Sequence, residues 1–408
     1  MTPSTNTEPI KPRSGWRMLG LMTLGMVILT IGCGFWWYFS DSDLEAVRQQ
    51  ARLQGRPLSW SEMGLKPADP ERLRMWKRVT ELTAKLKSYQ TIPSSQRKGG
   101  PIFKLWDPIP QEMRDYHQAL DGAAITELIE LLDRLGYQPL VLHEKQTFES
   151  SMVSETDHAR ELLRFMQEQL LLADSSDTGV WGRRMIASCR RYSADSISQD
   201  MIRTALIGIA IGSITRRLTD LKITDPNIAV DIMTIQPTHA HLLHAIDGEF
   251  LITLDKYSRR VYYTDHDSWM PLISRAGRQN ALLSFLNDHR ELDLLDDQRS
   301  LAWARSAEAK IRIAQGGIPY PSLILRGLSL PAWWYIRINQ KNALRNSLLA
   351  AELQGQPWPI DTFDATGAVL RPITRDGRII AAYSVGDDGI DQGGNEKKDH
   401  VFPLYAKP

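Results

Sequence analysis

The stretch Met201-Ile-Arg-Thr-Ala-Leu-Ile-Gly-Ile-Ala-Ile-Gly-Ser-Ile-Thr-Arg-Arg-Leu218 decides how this chain folds. Ile202, Leu206, Ile209 and Ile214 recur at helical spacing, and most residues between them are small or apolar as well. A helix that is apolar nearly all round has to be enclosed, either by lipid or by other helices. The uncharged core Ala205–Ile214 extends only about 15 Å at 1.5 Å per residue, half of the roughly 30 Å of hydrocarbon in a bilayer. It therefore reads as the buried central helix of a multi-helix array.

Helix signals continue on both sides. Asp41 to Gln54 reads as a short helix stopped by Gly55 and Pro57. Ser59-x-x-Glu62 has the capping-box pattern, and Asp69-Pro70-Glu71 supplies an N-cap, a proline at N1 and an acid in the first turn. Leu73, Trp76, Val79, Leu82 and Leu86 follow at helical spacing. Residues 91–110, rich in proline and glycine, form a loop, and Met113 to Leu135 reads as one amphipathic helix. Ser154-x-x-Asp157 opens another, carrying Leu162, Leu163, Phe165, Met166, Leu170 and Leu171. Further helices are expected near 237–255, 268–289 and 290–315. The last starts at Ser329-Leu-Pro331 and runs to Leu353, where Gly355 and Pro357 stop it. No fixed-period repeat is present, and residues 41–354 read as a single helical domain.

The N-terminus reads differently. Residues 1–17 are polar, carry Pro3, Pro9 and Pro12, and show no apolar period, so a disordered tail is expected. Met18 to Phe39 contains no charged residue and is bracketed by Trp16 and Trp36-Trp37. That length and those flanks predict a transmembrane helix over 18–39, with the bilayer as its partner. Lys11, Arg13 and Arg17 precede it, and Asp41, Asp43 and Glu45 follow. The positive-inside rule then predicts a single-pass protein of the cytoplasmic (inner) membrane, N-terminus inside and body extracytoplasmic. A cleaved signal peptide fits less well because no A-x-A-like site follows the run, and a lipoprotein signal at Thr30-Ile-Gly-Cys33 because the apolar run continues past the cysteine.

Composition narrows the function. With 49 Lys+Arg against 48 Asp+Glu the net charge is +1, and 42% of residues are hydrophobic. A balanced charge gives no electrostatic footprint for nucleic acid. The two cysteines, Cys33 and Cys189, are not expected to pair, so the core must hold the body together. No nucleophile elbow, phosphate-cradling loop or dinucleotide loop appears. Thr238-His239-Ala-His241-Leu-Leu-His244, with Asp247 and Glu249, is the one catalytic alternative: a metal-dependent hydrolase. Its residues lack a His-Glu-x-x-His pattern, and His239 points away from the other two on a helix. The pairs Arg183-Arg184, Arg190-Arg191 and Arg216-Arg217 are expected on solvated helix faces.

Residues 355–408 form a separate tail of β-hairpin and loop. Val369–Thr374 and Ile379–Val385 flank Arg375-Asp-Gly-Arg378, a hairpin around an Asp-Gly turn. Then Gly386-Asp-Asp-Gly-Ile-Asp-Gln-Gly-Gly-Asn-Glu-Lys-Lys-Asp399 crowds Asp387, Asp388, Asp391, Asn395 and Asp399 among glycines. Such a loop can gather the oxygens a hard cation needs, or it can be a solvated turn cluster that binds nothing.

Tyr383-Ser-Val-Gly-Asp-Asp-Gly389, Gly393-Gly394 and Asp399 resemble the C-terminal calcium loop of major type II secretion pseudopilins. Pro359-Ile-Asp-Thr-Phe-Asp364 resembles the step that precedes that loop. The same ending, with an Arg…Gly-x-Pro-Leu pattern like that of Leu44 to Leu58, is similar to single-pass membrane proteins of planctomycete-type bacteria. The resemblance implies Ca²⁺ as cofactor, with Asp388 and Asp399 as ligands and the Val385 carbonyl as a backbone ligand. Asp391, in the same loop, is counted with them. Two departures are His400, where an apolar residue is usual, and the shortened Gly355-Gln-Pro-Trp-Pro359. The pilin processing site is absent in front of the apolar run, so only the tail is shared. The resulting expectation is a mainly α, membrane-anchored envelope protein, a non-enzymatic interaction or scaffold module with a calcium-stabilised tail. Its partners would be other envelope or secretion proteins.

Overall fold

Capping chemistry sets most helix boundaries. The computed structural model describes residues 42–64, 69–91, 108–136, 148–192, 197–259 and 321–405, with isolated positions at 26, 29, 30, 282, 283, 286 and 287. Helices among them are α1 (Ser42–Leu53), α2 (Pro70–Leu86), α3 (Gln111–Gln118), α4 (Gly122–Leu135), α5 (Phe148–Leu172) and α6 (Ser175–Arg191). They continue with α7 (Ile197–Arg216), α8 (Leu218–Thr224), α9 (Ile228–Thr234), α10 (His239–Arg259) and α11 (Pro321–Gln354). A three-stranded sheet follows, β1 (Arg371–Arg375), β2 (Arg378–Ser384) and β3 (His400–Pro403).

At the start of α2 the Asp69 carboxylate accepts the Glu71 amide at 2.9 Å, as the sequence predicts. The expected single helix from Met113 to Leu135 is two, because Asp121 accepts the Ala123 and Ala124 amides at 3.0 and 3.2 Å and starts α4 afresh. The Ser59/Glu62 contacts also form, with Ser59 Oγ accepting the Glu62 amide at 3.3 Å. No helix propagates from them, and residues 58–64 stay as turns.

Helix α7 lies at the centre. It packs against α5, α6, α8, α10 and α11, and buries Leu206, Ile207, Ala210, Ile211 and Ile214. One hydrophobic core joins α2, α4, α5, α6, α7, α8, α9 and α11 to the tail through Phe363, Leu370, Ala382, Val385, Phe402 and Leu404. A second, smaller core joins α1 to α10, Leu282, Leu286 and Ile336. The expected helices near 268–289 and 290–315 lie otherwise outside the described residues, as do the side chains of Trp333 and Trp334.

The membrane expectation is corrected here. Among the described residues no helix is long and apolar enough to cross a membrane. The most apolar candidate, α7, has Asp200 and Arg203 in its first turns and Arg216 at its end, leaving about 18 Å of uncharged helix. That is too short for ~30 Å of hydrocarbon. Of residues 18–39 only Met26, Leu29 and Thr30 are described; all three are helical, and the rest lies outside the described residues. The single-pass topology, the inner-membrane localisation and the extracytoplasmic side assigned to the body fall with the span. The mainly α body and the small β tail stand.

The basic pairs are also not a solvated face. Arg191 is 2% exposed, and its guanidinium donates to the Gly136 carbonyl at 2.8 Å and to the Leu132 carbonyl. It thereby satisfies the Gly136 carbonyl, just past the end of α4, and shares the Leu132 carbonyl with the Gly136 amide. Arg217 does the same for the Ala173 carbonyl at 2.8 Å, just past α5. Arg183 pairs with Asp225 and Asp231, and Arg184 with Asp133.

A buried clasp fastens α3 and the turn Tyr89–Thr91 to α5. Glu168, fully buried, accepts the Tyr89 and Gln90 amides at 2.8 and 2.9 Å and sits 2.7 Å from His117 Nε2. The Gln169 amide nitrogen, 2.8 Å from His117 Nδ1, can only donate. Nδ1 therefore accepts, and Nε2 carries the proton given to Glu168. Glu168→Ala strands two backbone amides and an imidazole N–H in the core. It is expected to lower unfolding free energy by about 3–5 kcal/mol, measured by urea denaturation. Leu348, 1% exposed on α11, tests the main core: Leu348→Ala should cost about 2–5 kcal/mol. Leu53→Ala, at a position 77% exposed, should change stability by less than about 0.5 kcal/mol in the same assay.

Candidate metal site in the C-terminal tail

The tail is built on a hairpin and one buried carboxylate. Asp376 (φ 50) and Gly377 (φ 74) form the two-residue turn, with Arg375 opposite Arg378. Two consecutive positive φ values match the twist of a right-handed ribbon. β3 pairs with β2, Tyr383 opposite Val401, so the His400–Pro403 segment after the loop forms a third strand that was not expected. β2 thus becomes the central strand, and its residues from Ile380 to Ser384 are buried. Asp361, 0% exposed, accepts Ser384 Oγ at 2.7 Å and the Val385 and Phe363 amides at 3.0 Å each. It ties the segment entering the sheet to the segment leaving β2. The motif reading placed Asp361 only within a resemblance; its signal was Asp361-Thr-Phe363, an Asx-turn pattern.

The loop after β2 returns closely on itself. At Gly386 (φ 71) a Cβ would overlap the Lys398 carbonyl oxygen, so only glycine fits there. This approach brings the Val385–Gly386 step beside Asp399. Asp399 is 3% exposed; its Oδ2 accepts the Gly394 and Asn395 amides at 2.8 Å each. Its Oδ1 is buried and has no hydrogen-bond partner among the described residues.

The other expected ligands are occupied otherwise. Asp388 is exposed; it accepts the Ile390 amide at 3.0 Å and the Gln392 side-chain amide at 2.7 Å. The Ile390 amide first, and then Gln392, hold its carboxyl below the usual carboxylate range. Asp391 accepts Tyr383 Oη at 3.1 Å and the Gly393 amide at 2.9 Å, and pairs with Arg371 Nε at 3.0 Å. Val385 is buried with its amide on Asp361. Among the described residues no three His, Cys, Asp or Glu side chains converge as a metal-holding group. A cation at Asp399 would meet one buried carboxylate oxygen and would need its remaining oxygens from the backbone and solvent.

The residues of the histidine cluster are engaged elsewhere. His241 Nδ1 accepts the Thr238 amide at 3.3 Å and lies 2.9 Å from Thr238 Oγ1, so the imidazole caps the N-terminus of α10. Burial first, and Arg203 second, press its pKa down. Asp247 pairs with the buried Arg56 at 2.7 Å. The side chain of His239 lies outside the described residues. Among the described residues the hydrolase reading has no assembled centre.

The tail is fastened to the helices by a second cluster. Lys222 Nζ lies 2.6 Å from Glu352 Oε2 and 2.8 Å from Tyr405 Oη. Trp358 Nε1 donates to Glu352 Oε1 at 2.6 Å, and Tyr405 Oη to Glu352 Oε2 at 2.8 Å. Burial alone would raise the Glu352 pKa, but the bonds from Lys222, Trp358 and Tyr405 outweigh it and bring it below 4.5. A carboxylate depressed in the folded state contributes stability that is present above its unfolded pKa and fades as pH falls below it. Stability of the wild type should therefore decline as pH drops below about 4.5. In Glu352→Gln that decline should be shallower in thermal melts taken across the acid range.

Compared with family models, with curated proteins and with solved structures, the chain matches none.

Proposed function

We propose that this chain is a non-enzymatic interaction or scaffold module for protein partners, and that its C-terminal tail takes one Ca²⁺ at Asp399. The observation that carries this reading is the Asp399 Oδ1 oxygen, buried and without a partner among the described residues, beside two chain segments in close approach. A desolvated carboxylate oxygen is costly unless a positive charge compensates it. The likeness of Tyr383–Asp399 to a calcium loop supports the same reading. The helical body supports the scaffold part, since Glu168, Arg191 and Arg217 are spent on capping and clasping.

Ligand binding to the folded state alone stabilises by RT ln(1+[L]/Kd), about 2.7 kcal/mol at a hundredfold excess over Kd. The full chain should gain protease resistance in residues 355–408, and a higher Tm, in Ca²⁺ relative to chelator. Mg²⁺ should substitute poorly, because it demands a tighter octahedral cage. Asp399→Asn keeps an acceptor for the Gly394 and Asn395 amides while removing the charge, and it should abolish the gain. Asp388→Asn, at a carboxylate engaged within its own loop, and Asp376→Ala, in the hairpin turn, should both leave the gain intact. Equal resistance of the wild type in Ca²⁺ and chelator would reduce the acidic loop to a turn cluster.

A further inference from the structure

Arg337, Lys341 and Arg345 stand four residues apart on α11, so they share one helix face with about 6 Å between successive positions. Arg337 is engaged by Asp387 in the tail, whose other neighbour is His400 Nε2 at 3.5 Å. The next two cations are less well compensated. Lys341 and Arg345 are each half-buried, and neither has an ion pair or a side-chain hydrogen bond among the described residues. Of the described carboxylates, Asp387 alone exerts a charge on Lys341, and none does on Arg345.

This arrangement is unusual within the molecule. Arg56, Arg183, Arg184, Arg203 and Lys222 all meet carboxylates. Arg191 and Arg217 meet helix-end carbonyls. Two adjacent cations partly removed from water without a counter-charge are unfavourable as they stand. Burial pushes both of them below their ordinary pKa, and Arg345 adds to the effect at Lys341. Burial and like charge together favour an incoming anion. The donor set specifies its shape. A guanidinium presents a planar fork to two oxygens of a tetrahedral oxyanion, and an ammonium adds a point charge with up to three donors.

We propose that the Lys341–Arg345 face of α11 binds a phosphoryl oxyanion, as free phosphate or as the phosphate of a phosphomonoester. The site lies one helical turn from the Arg337–Asp387 pair, at the seam where the tail meets α11. It is independent of the calcium reading, because neither cation contacts Asp399.

The test uses the full chain with Lys341→Met, Arg345→Met and Arg184→Met, the last removing a pair to Asp133 on a distant helix. Titrations with inorganic phosphate and with phenyl phosphate, in the low millimolar range at constant ionic strength, are read by calorimetry and by Tm. The wild type and Arg184→Met should show saturable binding and a rising Tm. Lys341→Met and Arg345→Met should each lose affinity at least tenfold. Without anion, Lys341→Met should melt higher than wild type, since it removes an uncompensated charge while keeping the apolar stem. Tighter binding of inorganic phosphate would identify the free ion as ligand, and comparable or tighter binding of the ester a phosphorylated one. Absence of saturable binding in the wild type, or an equal response in all four proteins, would overturn the proposal.

Discussion

The enclosure of α7 is the constraint on which the rest of the structure depends. Its apolar residues face in nearly every direction, so no single neighbour can cover it. Helices α5, α6, α8, α10 and α11 close around it, and each must then present a polar outer side. That requirement explains the distribution of charge in the body. Arginines that would be awkward inside such a bundle are placed at helix ends, where they bind carbonyls of the last turn or just past it. Arg191 beyond α4 and Arg217 beyond α5 are the two clearest cases. They convert a polar cost of short helices into an attachment between neighbours.

The tail obeys a different rule. A three-stranded sheet of this size is too small to stand alone, and its central strand is covered by contact with the helical body. Phe363, Leu370, Ala382 and Phe402 join the main core. Around that contact, polar groups do the aligning: Asp361 joins the two arms of the tail, while Lys222, Glu352, Trp358 and Tyr405 join the tail to α8 and α11. Both candidate ligand sites sit in or beside this small module. One presents an uncompensated carboxylate oxygen at Asp399, the other uncompensated cations at Lys341 and Arg345. In each case the group lacks, among the described residues, a partner of the kind that Glu168, Arg183 and Arg191 possess.

Much of the architecture was legible in the residues. The central helix, the Asp69-Pro70 start of α2, the Gly355 stop of α11 and the Asp376-Gly377 hairpin all follow from local chemistry, and all are present. Local chemistry also misled. The apolar period from Met113 to Leu135 hid the Asp121 cap that divides it, because periodicity survives a one-turn break. The capping contacts of Ser59 and Glu62 formed without a helix, since a cap satisfies the amides of a first turn but does not supply the packing that sustains later ones. The membrane span was inferred from composition and flanks, and among the described residues no helix meets its length and apolarity.

The sequence by itself determined the periodic elements, their caps and turns, and the division into a helical body and a β tail. These depend on residues within a few positions of one another. Tertiary structure alone decided which charges are partnered. Arg183 meets Asp225 and Asp231 across more than forty positions, and Arg191 meets a carbonyl more than fifty away. Nothing in the spacing of acidic residues marks Asp388 and Asp391 as engaged in their own loop and Asp399 Oδ1 as unpaired. Nor does the run from Arg337 to Arg345 reveal that only the first meets a carboxylate. Electrostatic compensation depends on distance and burial in three dimensions, and the chain brings those partners together only when its apolar helix is enclosed.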